Sequence, residues 1–260
     1  MELPLVSAAI GTGHAESYLT PMASTAEPES KAYYEPTIPF AEQRSEHRAE
    51  VGRAVGEKLD RTPGLWRLTS STERPIQLYI RSGFLKPDEC VGLCQQIDTS
   101  SFPSELYEKD KYEGVRTSYS CNLNIYDPLV SEVETRIADL LGIERSWGEP
   151  LQGQRYQTGQ QFKEHADFFY VDQPYWEEYG PHGGQRTWTA MIYLNVPDRG
   201  GATAFKYLDL AVAPQLGRLL IWNNMAADGS PNPWTQHEGQ AVEAGTKYIV
   251  TKWYREGPFT

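Results

Sequence analysis

The run KEHADFF, residues 163–169, places His165 two positions before Asp167 in an aromatic, strand-like setting. On a strand, residues i and i+2 point to the same side, so this imidazole and carboxylate can converge on one cation. The alternative reading is one polar pair on an exposed strand face. The neighbouring runs are LQGQRY (151–156), TWTAMIYLNV (187–196), ATAF (202–205), GRLLIWNN (217–224) and KYIVTKWY (247–254). All are short and rich in Tyr, Trp, Ile, Val and Thr, and Gly, Pro and Asn turns separate them. That texture predicts a β-sandwich or barrel.

Upstream, the texture is helical. AEQRSEHRAEVGRAVGEKL (41–59) carries mixed charges and a thin apolar stripe, and Pro63 and Gly64 then break it. IQLYI (76–80) reads as a strand. LKPDECVGLCQQI (85–97) reads as a helix with Pro87 in its first turn and Asp88 and Glu89 at its positive end. PLVSEVETRIADLLG (128–142) sets Val130, Val133, Ile137 and Leu140 on one side, with Gly142 where a C-terminal glycine belongs. The expected organisation is an extended or partly disordered arm over 1–38, a helical segment over 39–74 and a main domain over 75–260. The expected class is mainly β with flanking helices.

The chain has 260 residues, a net charge of −11 and 39% hydrophobic residues, a globular composition. A field of that sign, with scattered Lys and Arg, disfavours nucleic acid and anionic membrane as partners. The three cysteines, Cys90, Cys94 and Cys121, are too few for a disulfide framework. Cys90 and Cys94 fall on one helix face and read as inert thiols rather than a zinc or redox pair. The N-terminus lacks a basic, apolar signal pattern, and no window has the ~20 apolar residues of a membrane span. A soluble, reducing, cytoplasmic setting is expected.

Two ligands do not make a tight metal site, so a third must come from elsewhere. The other histidines are His14 in the arm, His47 on the charged helix, His182 in a Gly–Pro loop and His237. His237 is best placed, because it follows GRLLIWNN and precedes another strand-like run. Two histidines and one carboxylate on one side of a metal leave open positions, which suits non-haem Fe(II). Lys247 adds to the pattern. On a strand over 247–254 it shares a face with Ile249, Thr251 and Trp253, and a lysine among such neighbours needs an anion. The alternative is a surface lysine on an edge strand.

These motifs, in this order, resemble the 2-oxoglutarate- and Fe(II)-dependent dioxygenases, specifically the prolyl 4-hydroxylase-like ones. The blocks are GFLKPDEC (83–90), GVRTSYS (114–120), EPLQGQRYQTGQQFKEHADFF (149–169), GGQRTWTAMIYLN (183–195), GGATAF (200–205) and HEGQAVEAGTKYIVTKWYRE (237–256). The resemblance implies a double-stranded β-helix, or jelly-roll, core of cupin type. It implies iron held by His165, Asp167 and His237, and Lys247 pairing with the distal carboxylate of 2-oxoglutarate. Tyr156 and Thr203 would hydrogen-bond that cosubstrate, and Trp253 would pack beside it. Arg186, Arg116 and Glu149 would line a peptide groove.

The implied reaction consumes O2 and 2-oxoglutarate, releases succinate and CO2 and hydroxylates a C–H bond, with ascorbate supporting activity. The implied substrate is a prolyl residue in a peptide or protein. A hydroxylase of a free amino acid or small metabolite is the alternative, and a non-catalytic binding module of the same fold is a third reading. Phe162 stands where the family often has tyrosine, and Ala202 and Lys206 depart around GGATAF. The aromatic loop 172–184 reads as a candidate lid whose rings suit stacking on proline.

Overall fold

A computed structural model describes residues 19–20, 36–68, 75–104 and 115–260. Most of the arm expected over 1–38, including His14, lies outside the described residues, as does Gly114 of the GVRTSYS block.

Two antiparallel sheets face each other. The larger runs, in hydrogen-bonded order, Trp66–Leu68, Leu78–Arg81, Leu219–Asn223, Arg186–Tyr193, Thr246–Arg255, Gln152–Gln157, Tyr119–Asn122 and Phe102–Pro103. The smaller runs Leu19–Thr20, Leu210–Val212, Thr203–Phe205, His237–Gly239 and Phe162–His165. Arg199–Gly200 and Val242–Ala244 form a separate pair. From Gln152 onward the chain crosses repeatedly between the two sheets, as in a jelly roll.

Side-chain alternation splits the core in two. Leu78, Ile80, Met191, Tyr193, Leu220, Trp222 and Ile249 point between the sheets, onto Phe205 and Val212. Their neighbours Tyr79, Ala190, Ile192, Ile221 and Val250 point outward, onto Leu93, Ile97, Val130, Val133 and Ile137 of the helices. The helices therefore cover one outer face, and the inner face is left to build a pocket.

The helical expectations hold with shifted ends. The first helix spans Glu46–Asp60 rather than starting near Ala41. Ser45 caps it, its side chain accepting from Arg48 N, and a short 3-10 turn at Phe40–Glu42 precedes it. Its Val55 and Leu59 enter the same core as the strands. His47 is exposed, as expected for its charged helix, and its Nε2 donates to Glu256 O at 2.7 Å. Pro87–Ser100 begins with Glu89 Oε2 accepting Lys86 N at 2.7 Å. Pro128–Leu141 begins with Asp127 accepting two backbone amides and ends at Gly142, whose φ of 74° is the left-handed C-cap that glycine adopts without strain. Cys90, Cys94 and Cys121 are free, and burial pushes the Cys90 thiol up to about 11 and that of Cys94 to about 12. They are inert at neutral pH.

Among the buried residues of Pro128–Leu141, one is charged. Glu134 is buried and accepts from Lys252 Nζ at 2.6 Å, Arg145 Nη2 at 2.8 Å and Leu151 N at 3.1 Å. Lys252 is itself 2% exposed, on the helix side of the strand that carries Lys247 on its other side. Replacing Glu134 by alanine leaves that ammonium buried without its counterion. The expected cost is about 3–5 kcal/mol, read from the midpoint of urea unfolding.

Candidate metal centre

His237 and His165 lie directly opposite each other across the antiparallel pairing of their strands. Their rings are 4.3 Å apart between centroids. Each Nδ1 faces a carbonyl two residues earlier, 2.9 Å to Lys163 O and 3.0 Å to Thr235 O. A carbonyl only accepts, so each Nδ1 carries the proton and each Nε2 presents its lone pair. Both lone pairs look toward Asp167, at 3.8 Å to Oδ1 and 3.9 Å to Oδ2. These gaps exceed a hydrogen bond. Three donors thus meet, all within 4.8 Å of one another, without bonding among themselves. It is the metal-ligand cluster found among the described residues, and its donor set fits Fe(II).

The expectation that alternation places Asp167 beside His165 is corrected. The strand ends at His165, and Asp167 stands on an irregular bend beyond it. Its orientation comes from across the sandwich. Thr189 Oγ1 donates to Asp167 Oδ2 at 2.7 Å, and Asn224 Nδ2 donates to Thr189 Oγ1 at 2.9 Å. From the backbone side, the Gln185 amide accepts from Phe169 N at 2.9 Å and donates to Phe169 O at 2.6 Å. Phe162 stacks on His165 at 3.6 Å with an interplanar angle of 10°, an apolar plate on a ligand. Replacing Thr189 by valine keeps the shape and removes the hydrogen bond. Such outer contacts are worth about tenfold or more in metal affinity, so a weaker Co(II) Kd by that factor is expected in a spectrophotometric titration.

Burial holds the His165 pKa down at about 3, helped by His237. The ring is therefore neutral at physiological pH, as a ligand must be. Burial alone would raise the Asp167 carboxyl. His237, His165, Arg186 and the Thr189 hydrogen bond outweigh it and hold it below the usual carboxylate range.

The donors open into a pocket between the sheets whose empty space, with the open solvent at its mouth, is about 370 Å³. Lys247 stands in its wall with Ile249, Thr251 and Trp253, so the expected alternation is observed. The edge-strand alternative is overturned, because this strand is paired on both sides. Lys247 is 1% exposed, and no anionic partner meets it among the described residues. Burial pushes its pKa down to about 7. Tyr156 and Tyr193 turn their rings to it, at 5.0 and 5.6 Å.

Tyr156, Thr203 and Trp253 line the same cavity. Tyr156 Oη donates to Gln154 Oε1 at 2.7 Å, and Gln154 Nε2 donates to Thr251 Oγ1 at 3.1 Å. Thr203 Oγ1 lies 2.6 Å from Tyr193 Oη. The indole N–H groups of Trp253 and of Trp222, also in the lining, are buried without an acceptor among the described residues. An unmade buried hydrogen bond is costly, so these donors mark a wall built for a polar occupant.

The three expected groove residues separate into two places. Arg186 and Glu149 form a buried pair, Nε to Oε1 at 2.6 Å and Nη2 to Oε2 at 2.7 Å, with Arg255 Nε also 2.6 Å from Oε1. Arg186 lies 4.1 Å over the Trp253 ring, which links this cluster to the cavity wall. Arg116 sits elsewhere, over the Phe162 ring at 5.0 Å, and donates to Gln152 Oε1 at 2.8 Å and Ser118 Oγ at 3.1 Å. In the aromatic loop, Tyr175, Trp176 and Tyr179 pack on Phe169, with centroids 5.9 to 6.1 Å away. Those rings turn toward the protein's own core.

Thr189, Asn224, Gln154 and Gln185 were not singled out from sequence. Thr189 had a signal, since it shares the inward parity of Met191 and Tyr193. Asn224 and Gln185 lie beyond strand ends, where parity no longer applies.

The profile of the 2OG-Fe(II) oxygenase superfamily matches residues 151–255, which contain every residue of the triad and Lys247. Probable prolyl 4-hydroxylase 8 of Arabidopsis thaliana is 30% identical over 226 residues, covering 77% of this chain and 75% of that protein. Prolyl 4-hydroxylase subunit alpha-1 of Rattus norvegicus is 36% identical over 143 residues, 54% of this chain. That match spans only 26% of the rat subunit's length. Among solved structures, the 2OG complex of a viral collagen prolyl hydroxylase from Paramecium Bursaria Chlorella virus-1 superposes with a TM-score of 0.52 at 22% identity. It covers 68% of this chain and 94% of that one. A Trichoplax adhaerens prolyl hydroxylase in complex with a hypoxia inducible factor peptide fragment gives 0.53 at 15% identity, covering 85% and 94%. Both share the fold.

Proposed function

Since the chain belongs to the 2OG-Fe(II) oxygenase superfamily, among its prolyl 4-hydroxylase-like members, we propose that it hydroxylates prolyl residues of a peptide or protein. The observation that carries the reading is one cavity lined by two unlike features. One is the cluster of His165, Asp167 and His237, and the other is a buried lysine with no anionic partner among the described residues. A dicarboxylate that chelates a metal through one end and meets an ammonium at the other fits that arrangement.

His165 Nε2, His237 Nε2 and an Asp167 oxygen would hold Fe(II). Held there, the metal would activate O2, which is the oxidant: one oxygen atom would enter a substrate C–H bond and the other the new carboxylate of succinate, as 2-oxoglutarate loses CO2. Lys247 pairs with the distal carboxylate, and Tyr156 and Thr203 offer hydroxyls to it. Trp253 covers the cosubstrate from the strand beside Thr251. Met191, Ile249, Trp222 and Phe162 keep water out around the metal. Arg186, held by Glu149 behind Trp253, and Arg116, beside Phe162, would flank the approach of the peptide.

Support for a prolyl substrate comes from the relatives' names and from the order of the motifs. No helix among the described residues is long and apolar enough to cross a membrane. Buried free thiols are compatible with the reducing cytoplasmic setting we propose, with ascorbate keeping the iron reduced. The test is succinate release with Fe(II), 2-oxoglutarate and ascorbate, together with a one-oxygen mass gain. Proline-rich peptides and free amino acids are offered in parallel. Modification confined to free amino acids would replace the peptide reading, and no turnover with any of them would support a binding module.

A further inference from the structure

Asp167 stands outside the β-ladder, and His237 is approached through a long loop. Neither position is secured by strand pairing alone. Outside the region matched by the family, the segment from Thr37 to Arg48 touches the chain on both sides of this problem.

Just after Asp167, the Phe40 ring sits edge-on to Phe168 at 5.3 Å and lies 6.0 Å from Tyr170. Thr37 N and Oγ1 both donate to Asp172 Oδ2, at 2.5 and 2.6 Å. On the loop that leads to His237, Arg44 Nε pairs with Asp228 Oδ2 at 3.0 Å, and Ser45 N donates to Asp228 O at 3.2 Å. Arg48 Nε donates to Gly229 O at 2.7 Å. Gly229 has φ of 75°, and a Cβ there would lie 2.0 Å from Ser45 O, so glycine is what lets the two backbones meet. Arg48 Nη1 also pairs with Glu256 Oε2 at 2.8 Å, just beyond the strand of Lys247 and Trp253.

We propose that residues 37–48 are a strap that positions Asp167 and His237 for the metal. Phe40 and Thr37 clamp the bend after Asp167 from outside, while Thr189 and Gln185 hold it from within. Ser45 and Arg48 fix the loop before His237. Thr37, Phe40 and Arg48 are thus positioning residues. They act through ligands that they do not touch. The inference rests on the metal-centre reading but not on the choice of substrate.

The test uses the full chain and Co(II) as the probe, titrated by absorbance, with thermal unfolding recorded for every variant. Phe40→Ala, Asp172→Ala and Gly229→Ala are expected to weaken the Co(II) Kd about tenfold, the scale of other contacts behind metal ligands. Phe40→Leu should restore most of that affinity. At saturating Fe(II), the KM for 2-oxoglutarate should stay within about twofold of wild type, because the strap does not reach Lys247. A merely structural strap would lower the melting temperature and leave the Kd of the folded protein unchanged. That result in Phe40→Ala and Asp172→Ala overturns the proposal, and should Phe40→Ala not fold, Asp172→Ala alone decides. Wild-type protein that binds no Co(II) overturns the metal centre itself, and the strap with it. Wild-type binding with unaltered variants overturns the strap alone.

Discussion

Replacing Asp167 by alanine is expected to remove succinate formation almost entirely while the protein still unfolds cooperatively. Two facing imidazoles then remain, without the anionic donor between them. The hydroxyl of Thr189 loses its acceptor, and the Asn224 amide behind it loses its orientation. Neither sheet depends on the carboxylate, since Asp167 takes no part in a ladder. Loss of a primary ligand exceeds the 10- to 100-fold penalty typical of its supporting contacts. Turnover below about 1% of wild type at micromolar Fe(II) is therefore expected. Coupled detection of succinate measures it, and circular dichroism melting establishes that the fold survives. Substantial turnover by Asp167→Ala would remove this residue from the ligand set.

Replacing Lys247 by methionine should have two opposite effects. Methionine fills nearly the same volume without a charge. In the cosubstrate-free protein it relieves a buried ammonium that has no counterion among the described residues, so resistance to urea should rise. On the proposed reading it also removes the partner of the distal carboxylate of 2-oxoglutarate. Truncating a buried charge pair costs about 2 kcal/mol or more, so the KM for 2-oxoglutarate should rise roughly 30-fold or beyond. A variant that is both less stable and unchanged in KM would contradict the assignment.

The same lysine sets a pH dependence. Burial holds its pKa at about 7 in the free protein, while an unfolded lysine titrates near ~10.4. Between those values the unfolded chain binds more protons, so this group makes stability rise with pH across that window. The burial penalty is fully present below about 7. The proposed pairing with the distal carboxylate requires the charged form. Calorimetry in two buffers of different ionisation enthalpy should therefore show uptake approaching about one proton per 2-oxoglutarate at pH ~8.5, and little at pH ~6. Lys247→Met should abolish the difference.

Local chemistry was enough to read much of this protein from its sequence. Period-two runs of aromatic and branched residues announced the sandwich, and apolar stripes ending in caps announced Pro87–Ser100 and Pro128–Leu141. The inward row Lys247, Ile249, Thr251 and Trp253 followed from parity alone, because a strand leaves its side chains no other choice. His165 and His237 stood out because few histidines were available and the strand pattern around them was strong.

Other features depend on contacts between segments distant in the chain, and no local pattern encodes them. Asp167 reaches the metal side from a bend, through Thr189 on the opposite sheet and Asn224 just past a strand of that sheet, not through the alternation that its spacing suggested. Arg186 and Glu149 read as two separate groove residues, yet folding brings them together and adds Arg255 to the same carboxylate. The loop aromatics turn onto Phe169, and the segment 37–48 touches the chain just after Asp167 and the loop that leads to His237. Periodicity fixes which face a side chain takes, because it acts within one strand or helix. Which faces then meet depends on how the two sheets, the helices and the strap pack, and that is settled only when the whole chain is folded.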